Sequence, residues 1–183
     1  MKKPERVSES TFKGLVKPLL FCLLSITSIA VADTGHSHQT PAGEPGTTEA
    51  VGRTVEIIMR DNYFEPERLQ IDAGTTVRFV IRNQGDLVHE FNIGTVAMHE
   101  EHQDEMARMI EQGAIRAGRI EQGMSHDHAN SVLLEPGESG EILWKFTTSS
   151  TLEFACNIPG HYQSGMRGDI DVTQAGGDSH SNH

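Results

Sequence analysis

The 183-residue sequence predicts an all-β fold, an antiparallel β-sandwich with one short helical insertion. Three observations lead there. Several short stretches alternate apolar with polar residues, as strands do when one face lies in a core. Gly, Pro, Asn and Asp punctuate these stretches at regular spacing, which argues for two packed sheets. One segment alone, residues 98–113 (MHEEHQDEMARMIEQG), lacks β-branched residues until Ile110 and has the Glu, Gln, Met, Ala and Arg content of a helix.

Residues 1–17 carry Lys2, Lys3, Arg6, Lys13 and Lys17, residues 19–31 are mostly apolar, and Ala30-Val31-Ala32 has the small-x-small form of a leader-peptidase site. Residues 1–32 therefore read as an export signal with Asp33 as the mature start. The apolar run is shorter than the ~20 residues a membrane span needs, and Ser25, Thr27 and Ser28 interrupt it. Residues 33–52 and 174–183 are rich in small, polar and His residues and poor in apolar ones, so both are expected to be flexible tails.

Between them, residues 53–173 form the expected domain. Residues 53–60 (RTVEIIMR), 75–82 (TTVRFVIR) and 88–93 (VHEFNI) read as strands, with Ala73-Gly74 and Asn83-Gln84-Gly85-Asp86 as turns. Residues 139–146 (SGEILWKF) follow a Glu135-Pro136-Gly137 turn, and strands at 151–156 and 168–172 close the set. Weaker strands are expected at 69–71 and 131–134. The helix belongs to an insertion at about 97–129.

Removing residues 1–32 takes away five basic and two acidic side chains, so 15 Lys and Arg against 26 Asp and Glu becomes 10 against 24, and the formal charge goes from −11 to −14. Such a surface repels nucleic acid and anionic lipid, so neither is an expected partner of the mature chain. The same cut removes Cys22 and leaves Cys156 as the sole cysteine, with no internal disulfide possible. An unpaired thiol in an exported protein has three readings: a buried inert residue, a nucleophile or a metal ligand.

Its neighbours narrow the choice. In residues 154–166 (FACNIPGHYQSGM), Cys156, His161 and Met166 follow one another at intervals of five positions, and Pro159-Gly160 and Gly165 let the backbone curl. A thiolate beside an imidazole suits soft or borderline metals such as copper and zinc. One loop can thus offer three ligands, and a fourth must come from elsewhere in the sheet. His89, at the start of VHEFNI and directly after a turn, is the best candidate. Two His, one Cys and a weak axial Met make a blue-copper electron-transfer set, whereas common zinc sites do not use thioether.

With Phe64-x-Pro66, Gly74-x-x-Val77-x-Phe79, Asn83, His89-x-Phe91, Pro136-Gly137-Glu138 and FACNIPGHYQSGM followed by Gly168, the chain resembles the cupredoxins of the plastocyanin/azurin family over about 53–173. That resemblance implies a Greek-key sandwich, with His89, Cys156 and His161 as equatorial copper ligands, Met166 as the axial one, and His161 as the partly exposed electron exit. It also exposes a departure: several family members place Asn directly after the first ligand His, to steady the Cys loop, where this chain has Glu90. A different residue is then expected to supply that tie.

A narrower resemblance, to bacterial periplasmic cupredoxins of copper tolerance, rests on the Met/His helix, on His126-Asp127-His128 and on residues 132–138. At ~100° per residue, His99, His102, Met106 and Met109 share one helix face. Such a face either packs on the sheet or, with Met98, Met124, His126 and His128, binds a second copper. The expected function is that of a monomeric periplasmic copper protein cycling Cu(II)/Cu(I) in copper tolerance, with a dedicated electron shuttle and a redox partner protein as the alternative. No enzyme is expected beyond weak cuprous oxidation at the same site, because Cys156 and His161 lack an orienting Asp or Asn motif.

Overall fold

Alternation along Thr76–Asn83 sends Val77, Phe79 and Ile81 to one face, where all three are buried, and Arg78 and Arg82 to the other. The same period places Val55, Ile57 and Met59 of one strand, and Ile142 and Trp144 of another, in the same core. In the computed structural model, which describes residues 40–116, 118–121 and 128–174, these strands build a two-sheet sandwich. The export signal expected at 1–32, the tail beyond Gln174, and Met124 and His126 lie outside the described residues.

The elements are β1 (Glu44–Pro45), β2 (Val51–Met59), β3 (Phe64–Glu65), β4 (Arg68–Asp72), β5 (Thr76–Asn83), β6 (His89–Gly94), α1 (Val96–Glu111), β7 (Ile115–Arg116), β8 (Arg119–Ile120), β9 (Ser131–Leu134), β10 (Ser139–Lys145), β11 (Ser150–Ala155) and β12 (Arg167–Thr173). One sheet runs β1-β10-β5-β2-β3, the other β4-β12-β11-β6-β9, and β7 and β8 pair in the insertion. Most pairings are antiparallel, and β2 with β5 and β4 with β12 are parallel. Phe64, Phe91 and Phe154 fill the space between the sheets, with Phe64 edge-on to both partners at 5.9 and 5.2 Å between ring centroids.

All six residues of β6 are buried, because something covers each face. His89, Phe91 and Ile93 point one way, and Phe91 and Ile93 join the core. Glu90, Asn92 and Gly94 point the other way, under α1. The helix begins two residues earlier than its composition predicts, because Thr95 caps it by accepting from the Met98 N–H at 3.2 Å. It packs so close that a Cβ on Gly94 would stand 3.2 Å from Met98 Cβ and 3.3 Å from His99 Nε2.

The expectation of a tail at 33–52 fails for its described part. Thr40 and Gly43 form an isolated bridge, β1 pairs with the end of β10, and β2 already starts at Val51. Ala42 is buried, and its carbonyl accepts the Trp144 indole N–H at 2.9 Å. Composition misleads here because backbone pairing and one indole donor anchor a segment with little apolar area of its own. Trp144→Phe removes that donor and part of a buried ring. The expected loss is about 2–3 kcal/mol in urea unfolding, together with faster proteolytic cleavage near 40–46.

Candidate metal centre

Residues far apart in the chain meet at one end of the sandwich. His89 opens β6 and Cys156 follows β11; the two strands are neighbours, pairing through Ala155↔Asn92 and Phe154↔Ile93. After Cys156 the chain turns back on itself. His161 N–H donates to Ile158 O at 2.9 Å, Met166 N–H to His161 O at 3.0 Å, and Cys156 N–H to Met166 O at 3.1 Å. The turns need Gly160 and Gly165, whose φ values are 90° and 100°.

Cys156 Sγ stands 3.3 Å from His161 Nδ1 and 3.9 Å from His89 Nδ1, and the two Nδ1 atoms are 3.2 Å apart. Donors that each sit about 2.0–2.3 Å from a metal are separated by roughly such distances. A thiolate with two imidazoles suits copper, so the residues present fit that metal. Met166, fully buried, is brought back beside Cys156 by its backbone bonds.

His89 is oriented from behind. Its Nε2 lies 3.0 Å from Asp61 Oδ1, and the same oxygen accepts the Asp86 and Leu87 amides at 2.8 and 3.2 Å. With Nε2–H donating there, Nδ1 is left to face the sulfur. Gly85 permits the approach: a Cβ at that position would run into Asp61 Oδ1 and stand 3.0 Å from His89 Nε2. Asn83 pins the same turn, its Nδ2 donating to Leu87 O at 2.8 Å and Leu134 O at 2.9 Å.

The tie to the Cys loop comes from Glu90 itself. Its Oε2 accepts the Asn157 N–H at 3.2 Å and Asn157 Nδ2 at 2.9 Å, and its own N–H donates to Cys156 Sγ at 3.4 Å. On the other oxygen, Ser131 Oγ donates at 2.6 Å and His102 Nε2 at 2.8 Å. The expectation that some other residue would steady the loop is thereby corrected: a longer acidic side chain reaches it from the same position.

Charge is distributed to suit. Burial pushes the Cys156 thiol up to about 12, against the pull of the Glu90 and Ile158 amides. Burial also lowers His89, against Asp61, and lowers His161, with His89 adding to the effect, so both imidazoles favour the neutral form that ligates. The hydrogen bond from His89 holds Asp61 below the usual carboxylate range. Burial works against a Glu90 charge, but His102, Ser131 and Asn157 outweigh it and keep Glu90 ionised.

The helix residues divide. Met106 is fully buried, and Met98 packs on the core, as a packing face requires. His99 is buried too, its Nε2 3.3 Å from Glu153 O, and takes no part in a donor group among the described residues. His102 and His128 do converge, with Glu105, into a group whose ligating atoms lie within 4.8 Å of one another. They border a groove of about 590 Å³ that Met98 and Met109 also line. Sequence reading missed Glu105, although its i, i+3 spacing from His102 was a usable signal.

Fold and site together define a small copper-type β-sandwich. Residues 22–134 match the family model of the cupredoxin-like domain, a match that ends before the Cys156 loop. The copper-resistant cuproprotein CopI of Pseudomonas aeruginosa is 41% identical over 88% of this chain and 98% of its own length. That of Rubrivivax gelatinosus is 36% identical over 86% and 97%. Among solved structures, auracyanin B aligns with a TM-score of 0.53 at 24% identity, over 74% of this chain and 99% of that one. The chain belongs to the cupredoxin family, and its cofactor is copper.

With burial raising its pKa, the thiol of the metal-free protein stays protonated across the neutral range. Alkylation of Cys156 by iodoacetamide should remain slow between about pH 7 and 9, where a free thiol of pKa ~8.5 ionises. A pH–rate midpoint near ~8.5 would contradict this.

Proposed function

We propose that this protein is a periplasmic type 1 copper protein that serves copper tolerance, in which His89, Cys156, His161 and Met166 would hold the copper. The observation that carries the reading is the convergence of Cys156 Sγ with two imidazole Nδ1 atoms at 3.2 to 3.9 Å. Bound copper supplies a one-electron couple between Cu(II) and Cu(I). The chain does the rest. Asp61 fixes the tautomer and direction of His89, the Glu90 amide donates to the sulfur, and the self-bonded loop would hold its donors in place around the metal. The tolerance role draws support from two CopI relatives that this chain matches over most of its length.

No helix among the described residues is long and apolar enough to cross a membrane. The N-terminal sequence has the form of an export signal, and it is this that supports the periplasmic assignment. His102, Glu105 and His128 are a candidate second copper site. His102 Nε2 is directed at Glu90, which leaves Nδ1 toward Glu105 at 3.1 Å, the arrangement of a ligating His backed by a carboxylate. The shuttle reading is favoured by one observation, the partial exposure of His161 beside exposed Pro159 and Gly160.

Titration of the metal-free protein with Cu(II) should give an intense visible thiolate band that saturates at one copper and is absent in Cys156→Ala. Asp61→Ala should keep the band but weaken copper affinity by ~10–100-fold in a chelator competition. A disruption strain should grow poorly only in excess copper. Failed respiration with unchanged copper sensitivity would instead support the shuttle.

A further inference from the structure

The buried side of Glu90 is where the helical insertion meets the metal loop. Glu90 has no exposed surface, and a carboxylate so buried persists as a charge only when its oxygens are fully bonded. Its two oxygens have separate tasks. Oε2 holds the backbone N–H and the side chain of Asn157, the residue after Cys156. Oε1 is held by Ser131 Oγ and by His102 Nε2. Ser131 bonds Glu90 from β9 and Asn157 from the loop; His102, whose other ring nitrogen lies 3.1 Å from Glu105 Oε2, is the partner that reaches it from the helix.

The helix that carries His102 is fixed relative to β6. Its cap, Thr95, directly follows the strand, and Met98 and His99 abut Gly94. A displacement of α1 therefore shifts His102 against a carboxylate that cannot turn to water. The strand, the helix and the loop are joined at one group.

We propose that His102 is a positioning residue for the metal loop: by donating to Glu90 Oε1 it fixes the carboxylate whose other oxygen pins Asn157, so that the helical insertion braces the Cys156 loop from behind. This rests on the copper-ligand reading above only for its spectroscopic consequence. The mechanical coupling belongs to the metal-free chain.

Native-state hydrogen exchange on the metal-free wild-type protein tests the brace first. In low denaturant, the Asn157 amide and the amides of α1 should exchange through one shared opening. Loss of helix protection while Asn157 stays protected would overturn the proposal. Two variants then isolate the side chain. His102→Gln keeps a donor near the position of Nε2, and His102→Leu removes it.

The Asn157 amide should exchange on the order of tenfold faster in His102→Leu and close to the wild-type rate in His102→Gln. In the copper-loaded proteins, the thiolate band should move in His102→Leu and be restored in His102→Gln. A folded His102→Leu protein with unchanged exchange and band would show that the helix only covers β6. Should that variant not fold, the wild-type exchange pattern decides. Absence of a thiolate band from the wild type would defeat the copper-ligand reading and leave the exchange result standing.

Discussion

The register of β6 is the constraint on which the centre depends. Pairing with β9 matches His89 to Leu134 and Glu90 to Leu133, and pairing with β11 matches Ile93 to Phe154. Adjacent residues on a strand face opposite ways, so this register sends His89 toward Cys156 and Glu90 toward the helix. A slip by one position would exchange them. A carboxylate would then face the thiol, and an imidazole would lie under α1. Phe91 and Ile93, which have no exposed surface, hold the register through the apolar area they bury.

Two carboxylates flank the donors and do opposite things. Asp61 is half exposed and acts on one ring nitrogen of His89, directing the other inward. Glu90 is sealed, and acts on the peptide that follows the cysteine and on the sulfur through its own amide. Between them burial favours neutral imidazoles and a protonated thiol in the metal-free protein, so ligation of a metal by Cys156 would have to release the thiol proton. What the scaffold supplies in advance is direction and distance.

Much of this was legible in the sequence. The Cys-loop donors sit within eleven residues of each other, and Gly and Pro mark the loop as a turn, so the signal is local. The strands from β4 to β6 and from β9 to β12 were legible because alternation survives wherever one face meets the core. Asp61 and Glu90 were not legible as supports. Their partners lie 28 and 67 positions away, a separation that leaves no periodic trace. The bonded N-terminal segment was hidden for another reason, since its anchorage is mostly main-chain and its composition is that of a linker. The helix was visible as a helix, but only the fold shows that His99 bonds a carbonyl while His102 reaches Glu90.

That N-terminal segment has a consequence for the sheet it joins. β10 would otherwise end the five-stranded sheet with its N–H and C=O groups open on one side. Pairing of Glu44 and Pro45 with Lys145 and Trp144, and the bond from Gly46 N–H to Leu143 O, occupy the last part of that edge. Pro45 brings no N–H of its own to offer a further strand. That part of the rim is thus covered by the chain's own backbone, which leaves fewer open main-chain groups there for edge-to-edge pairing.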